Sequence, residues 1–289
     1  MNNDYRKEQD SMGEFDVPAA AYYGSTTMRA VLNFPLSDLR FSRSFIEAIS
    51  NIKLAAAQTN MELGLLDEKL GNAIVEAATE VASGNFDDQF VVDIFQTGSG
   101  TSTNMNANEV ISNRAIEILG GELGSRNPVH PNDHVNTGQS SNDVIPTAIH
   151  VAAAKSIKNS LIPSLKQLKT SLTRKSEEFM PVIKTGRTHL QDATPVRLGQ
   201  EFTGHTGQIE RGIQRCEQAL VELSEVALGG TAVGTGVNTH AEFAKKVCAK
   251  ISQSLEIDIH ETNNHFQAQS TLDNIVPVSY THLTLPTKA

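Results

Sequence analysis

Three short segments of this 289-residue chain concentrate groups able to hold a small anion: residues 97–106 (TGSGTSTNMN), 130–143 (HPNDHVNTGQSSND) and 186–195 (GRTHLQDATP). Each is dense in hydroxyl and amide side chains, and glycine punctuates all three. Where Gly98 and Gly100 lead into a helix, backbone N–H groups and the Ser99 and Thr101 hydroxyls can be aimed at one anion, helped by the positive end of the helix dipole. A carboxylate fits that description. Taken singly, each segment also has a plainer reading. Residues 98–101 can be a helix-capping loop, and Ser140-Ser141-Asn142 an ordinary N-cap. His189 can be a satisfied structural histidine, His130 and His134 can decorate a surface turn, and Arg187 can be a solvated charge. No HExxH, CxxC, Walker loop or strand-borne GxGxxG occurs, so metal, nucleotide and dinucleotide readings have no motif to stand on. The expectation is small-anion chemistry with no metal and no cofactor.

The elements that must position these segments are helices. With Trp absent and aromatics at 5%, there is little of the β-branched and aromatic alternation that strands need. A first long helix is predicted over Ser44 to Leu63. Asp67 can cap a second that runs through Ile74, Ala77, Ala78 and Val81 to a stop at Gly84. Asn104 to Leu119 puts Ala107, Val110, Ile111, Ala115, Ile118 and Leu119 on one face and ends at Gly120-Gly121. From Asn142 onward Leu161, Leu165, Leu168 and Leu172 recur at helical spacing, with Pro163 as a kink. Thr194-Pro195 reads as a cap followed by proline at the first helical position. It opens a near-heptad run through Phe202, Ile209, Ile213, Cys216, Leu220, Leu223 and Ala227 to Gly229-Gly230, about 34 residues or roughly 50 Å. A further helix spans Ala241 to Leu255, and a helical pattern continues from Phe266 to Val278. The predicted fold is all-α: an N-terminal helical domain over 1–138, then a long-helix bundle over 139–278 that is incomplete. Residues 279–289 (SYTHLTLPTKA) abandon the helical pattern and resemble translated cloning or adapter sequence, the plainer alternative being a frayed terminus.

Composition narrows the function classes. Hydrophobic residues at 39% and charged residues at 20% suit a folded soluble chain with enough apolar material for one large core or two modest ones. No run approaches the roughly 18 apolar residues of a membrane span, and the opening MNNDYRKEQDSMG lacks the apolar stretch of a secretory signal. The expected compartment is the cytoplasm, with no membrane partner. Cys216 and Cys248 both fall on apolar helix stripes, which points to buried thiols rather than a disulfide or a metal site. A formal net charge of -9 argues against a nucleic-acid partner. It also means that an anionic ligand must be held against the global field, so the site has to supply its own positive potential.

Six stretches, in order, resemble the fumarase/aspartase superfamily and within it the class II fumarases. They are residues 10–18 (DSMGEFDVP), 95–110 (FQTGSGTSTNMNANEV), 130–133 (HPND), 139–143 (QSSND), 186–195, and 228–240 (LGGTAVGTGVNTH). Aspartases resemble one another in having Gln where this chain has His189 and Asn where it has His130, so both histidines favour the fumarase side. The resemblance implies a metal-free lyase that hydrates fumarate to (S)-malate reversibly. It implies that Ser99, Gly100, Thr101, Ser140, Ser141, Asn142 and Thr188 bind substrate carboxylates, and that His189 is the catalytic acid/base. His130, Pro131, Asn132 and Asp133 match a secondary dicarboxylate-binding segment. The family's proton-abstracting serine, in a Gly-Ser-Ser loop, and the lysine, asparagine and glutamate that accompany it all fall beyond residue 278, so this chain is expected to be inactive by itself. The partners implied are a small dicarboxylate and three further copies in a homotetramer. Aspartate ammonia-lyase, another superfamily lyase, or a non-catalytic structural protein are the alternatives.

Overall fold

The computed structural model describes residues 5–10 and 12–276. Val278 and residues 279–289, read from the sequence as adapter-like, lie outside the described residues. Two compact units emerge, one within Met1–Ala152 and Ser224–Leu272, the other within Ala153–Leu223 and Asp273–Ala289.

The first unit opens with a hairpin, β1 (Tyr5–Asp10) against β2 (Gly13–Pro18), antiparallel with Tyr5 opposite Pro18. It continues through α1 (Ser25–Asn33), α2 (Arg43–Glu62), α3 (Glu68–Ala82), α4 (Thr101–Ile118) and α5 (Ser141–Ser156). Strand β5 (Glu225–Val226), α8 (Phe243–Leu255), β6 (His260–Glu261) and α9 (His265–Ser270) complete it, β5 pairing parallel with β6. Helices α2, α3 and α4 meet through Ile49, Ile52, Ala56, Ile74, Ala77, Ala78, Val81, Ala107, Val110 and Ile111, none of which has measurable exposure. Alanine at four of these ten positions lets backbones approach closely. Each buried Ile or Val contributes about 1.5–3 kcal/mol relative to an exposed one. Asp67 caps α3 as its position suggests, accepting from the N–H groups of Lys69 and Leu70. A second carboxylate, buried Glu109 of α4, takes the N–H groups of Gly24, Thr26 and Thr27, so that α1 is capped from another helix.

The second unit contains α6 (Ile162–Glu178), β3 (Ile183–Thr188), β4 (Gln191–Arg197) and α7 (Leu198–Leu223). Helices α6 and α7 run antiparallel. Phe179 meets Phe202 edge-to-face at 5.1 Å, Lys169 pairs with Glu210 at 2.7 Å, and Ser176 donates to the Gly199 carbonyl at 3.0 Å. Gly199 is required there, since a Cβ would lie 2.3 Å from the Ser176 carbonyl oxygen.

The helical architecture is as the periodicity predicts, with four differences. Thr194-Pro195 does not cap a helix: both residues belong to β4, where Pro195 faces Thr185 across the hairpin, and α7 begins only at Leu198. The run also ends sooner, because Glu225 and Val226 pair with His260 and Glu261 instead of extending α7. Pro163 sits in the first turn of α6, following a wide π-type turn at Ile157–Leu161 that absorbs the break. Past Phe266 the helix is short: α9 stops at Ser270, and Thr271 is extended.

Candidate functional site

The first polar segment folds as a tight turn feeding α4. The Gly100 N–H bonds the Thr97 carbonyl at 2.9 Å, and Gly100 adopts a left-handed backbone (φ +67°) as the residue preceding the helix. A side chain there would be strained and would also meet Ile145 of α5 at 3.0 Å. Ser99 and Thr101 stand exposed at the helix opening with their hydroxyls 2.9 Å apart, on the side of the positive dipole end. Gln96 braces the first turn from behind, accepting the Thr103 N–H at 3.0 Å.

The second segment has two parts. At Pro131–Val135 the chain makes a π-type turn, with Pro131 buried and Asn132 and Asp133 exposed. His130 Nδ1 accepts the Asp133 N–H at 3.2 Å, and His134 Nδ1 accepts the His130 N–H at 2.8 Å. His134 therefore carries its proton on Nε2, whereas His130 Nδ1 also lies 3.1 Å from the Asp133 carboxylate. Burial, with His130 nearby, holds His134 below its ordinary pKa against the opposing Asp133 charge.

The other part, Ser140-Ser141-Asn142, opens α5. The Ser140 Oγ accepts the Asn142 N–H at 3.3 Å, an N-cap of the ordinary kind. What distinguishes it is Asp143. This fully buried carboxylate accepts from the N–H of Ser140 (2.8 Å) with one oxygen and from those of Gly229 (3.1 Å) and Thr231 (2.9 Å) with the other. Burial pushes its pKa up, and three backbone donors and the charge on Lys53 pull against that. The clasp joins the start of α5 to the 229–233 turn, where Gly229 (φ +100°) and Thr231 (φ +54°) are both left-handed. Asn142 adds a second tie, donating to the Ala232 carbonyl at 2.7 Å.

A cavity of about 630 Å³ results, with Gly98, Ser99, Asn142 and Ala232 on its wall and Ile145, Ile149 and Phe266 as apolar lining. Two of the segments singled out in the sequence thus meet around one space. His130, Pro131, Asn132 and Asp133 are not on its wall.

The third segment belongs to the second unit. Thr188 and His189 are exposed at the apex of the β3–β4 hairpin. His189 (φ +47°) and Leu190 (φ +63°) are its two central residues, and positive φ at both is the signature of a type I′ turn, which ordinarily recruits Asn-Gly. Arg187 and Asp192 face each other at 3.5 Å, both well exposed.

Sequence reasoning assigned no role to Lys53, Asn104, Asn136 or Gln139, which lie behind the Ser140–Asn142 turn. Lys53 has no exposed surface, and its ammonium donates to Asn136 Oδ1 (2.8 Å) and Gln139 Oε1 (3.0 Å). The available signal was a lysine set between Ile49, Ile52, Ala55 and Ala56 on the inward stripe of a helix. Among the described residues no three His, Cys, Asp or Glu side chains converge as metal ligands, and no helix is long and apolar enough to cross a membrane.

A family model described as lyase matches residues 13–287. The class II fumarate hydratase of Halobacterium salinarum is 58% identical over 273 residues, covering 94% of this chain and 58% of that protein. The mitochondrial fumarate hydratase of Rattus norvegicus is 50% identical over 279 residues, covering 96% of this chain and 55% of the relative. Among solved structures, the recombinant class II fumarase of Schistosoma mansoni superposes with a TM-score of 0.91 at 39% identity, over 96% of this chain and 61% of that one. The chain therefore spans about three-fifths of the length of the relatives it matches.

Proposed function

We propose, from the premise that the chain belongs to the lyase family, that it carries the substrate-binding half of a class II fumarate hydratase. The whole protein would add water across the fumarate double bond to give (S)-malate, and the reverse. The observation that carries this reading is the cavity where Ser99 and Asn142, from two separate donor-rich segments, share a wall.

In the malate-to-fumarate direction a proton leaves the carbon beside one carboxylate, and hydroxide leaves the neighbouring carbon with a proton supplied to it. The electron pair left behind is held on that carboxylate and returns to form the double bond as the hydroxide departs, so the carboxylate's transient extra negative charge needs preorganised donors in place before the reaction starts. The Ser99, Thr101, Ser140, Ser141, Asn142 and Thr188 side chains are assigned that task, with Gly100 allowing the backbone to approach. His189 handles the water or hydroxyl as general acid/base. His130, Pro131, Asn132 and Asp133 are read as a secondary dicarboxylate-binding segment, with no part in the chemistry. The base that takes the carbon-bound proton is assigned to the stretch of the relatives that this chain does not cover.

We also read residues 1–138 and 139–278 as parts of two successive helical domains of the whole protein. Its partners are three further copies of itself, and its compartment is the cytoplasm, where the buried free thiols of Cys216 and Cys248 stay reduced.

The test follows fumarate by its ultraviolet absorbance with this 289-residue chain alone, then mixed with a polypeptide covering the remaining two-fifths of a relative. No turnover alone and clear turnover on mixing is the expected result. Robust turnover by the chain alone would overturn the division of labour. In the mixture, H189N should lose about 10²- to 10⁴-fold in hydration rate; full retention would remove His189 from the mechanism.

A further inference from the structure

Lys53 is an expensive residue to keep. It sits in the middle of α2 with no exposed surface, and burial pulls its pKa down to about 7 against the attraction of Asp143. Removing an ammonium from water in this way needs a return, and its hydrogen bonds show where the return goes.

An ammonium only donates, so Asn136 and Gln139 must both present oxygen to it. Their amide NH2 groups then turn outward onto the backbone. Asn136 Nδ2 donates to the Gln139 carbonyl at 3.2 Å, and Gln139 Nε2 donates to the carbonyls of Val135 (3.0 Å) and Thr137 (3.3 Å). With Asn136 oriented so, its Oδ1 also accepts from Asn104 Nδ2 at 3.3 Å, which fixes the second amide. The remaining N–H of Asn104 goes to Ser141 Oγ at 3.1 Å. A serine hydroxyl that accepts from its neighbour keeps its own hydrogen for something else.

The unpartnered atom in this cluster supports the direction of the chain. Asn104 Oδ1 is buried with no hydrogen-bond partner. Turning the amide over would satisfy it with the Ser141 hydroxyl, but would set it against Asn136 Oδ1, an oxygen held in place by Lys53. The network therefore leaves one acceptor orphaned and holds the Ser141 hydrogen available.

We infer that Lys53 is a positioning residue for ligand binding: through Asn136 and Asn104 it fixes Ser141 as a hydrogen-bond donor toward a bound carboxylate. The inference rests on the reading of Ser140-Ser141-Asn142 as a carboxylate-binding turn. It adds a source of polarity to that turn, because a buried positive charge two amides away biases every dipole in the relay in the same sense.

Two variants of the 289-residue chain test it, with fumarate as the probe and NMR as the readout. K53M keeps the length of the side chain and removes its donors. N104D leaves Lys53 with its partners but turns the donor facing Ser141 into an acceptor, which draws the serine hydrogen inward. Each should weaken fumarate binding, followed by the backbone amides of Ser140, Ser141 and Asn142, by about tenfold or more, the worth of one hydrogen bond to a charged group. K53M should also shift the side-chain amide resonances of Asn104 and Asn136 before any ligand is added, with far-ultraviolet circular dichroism unchanged. Unaltered affinity in either folded variant would overturn the inference. If K53M does not fold, N104D decides. If the unmodified chain shows no response to fumarate, the carboxylate reading of the turn fails, and the relay is judged by the ligand-free resonances: a shift in K53M sustains the positioning of Asn104, and none refutes it.

Discussion

Asp143 is the residue on which the candidate site hangs, and the cost of altering it can be worked from its three bonds. In D143N one oxygen becomes an NH2 group. The side chain will settle with its remaining oxygen toward Gly229 and Thr231, saving two bonds, and with its NH2 against the Ser140 N–H, losing one. A hydrogen bond to a buried charged group is worth about 1.5–3 kcal/mol, and a stranded buried donor costs about 1–3 kcal/mol more. Relief of the buried charge offsets part of that, since burial is the largest influence on this carboxyl. The net expectation for D143N is a loss of about 2 kcal/mol. D143A forfeits all three acceptors and leaves Lys53 without the one charge that opposes its burial, so it should lose about 4 kcal/mol, in the range for breaking a buried charged network. Urea unfolding followed by far-ultraviolet circular dichroism measures both, because the chain has no tryptophan to report by fluorescence. The ordering is as informative as the sizes. If the two variants cost the same, or both cost less than about 1 kcal/mol, Asp143 is not the clasp between α5 and the 229–233 turn.

Lys53 gives a pH prediction whose sign is unusual for a buried cation near a carboxylate. Its folded pKa, about 7, lies below the unfolded value of 10.5, so between those pH values only the unfolded chain holds the proton and stability rises with pH, by at most about 1.4 kcal/mol per unit. Relative to K53M the unmodified chain should thus gain about 2 kcal/mol between pH 7 and pH 9 and change little below pH 6; a flat or falling difference in urea midpoints would contradict the buried-ammonium account. G100A combines a left-handed backbone with a 3.0 Å approach to Ile145 and should lower stability by about 1–2 kcal/mol, whereas G98A, with open space around it, should cost under about 0.5 kcal/mol. In the mixture that restores the missing stretch, hydration should exceed ammonia addition, and a chelator should leave the rate unchanged; inactivation reversed by added metal would count against the class assigned.

The helices were legible in the sequence because the information that makes them is local. Asp67, the inward stripe of α3 and the stop at Gly84 lie within one stretch of chain, and the structure uses them as read. The β3–β4 hairpin was illegible for the opposite reason. Its strands are exposed on nearly every residue, so no apolar alternation marks them, and Thr194-Pro195 is the same dipeptide that opens a helix. Only the pairing of Ile183 with Arg197, across the turn, decides between the two. The hidden half of the candidate site follows the same rule. Lys53 reads as a break in an apolar stripe until the 136–139 loop, more than 80 residues away in sequence, is folded against it.

The turn at His189-Leu190 extends that reasoning to function. Two adjacent non-glycine residues at positive φ cost about 1–2 kcal/mol each, and although histidine tolerates that region better than most, Leu190 has nothing to favour it. An Asn-Gly pair would form the same hairpin at lower cost. Leu190 recovers none of that cost in this unit, being 86% exposed at the tip. A sequence that keeps the strained pair in place of the easy one is holding an imidazole at the apex of a hairpin, where it can reach beyond its own fold. With His189 proposed as the general acid/base, H189N is expected to spare the hairpin while lowering the hydration rate about 10²- to 10⁴-fold.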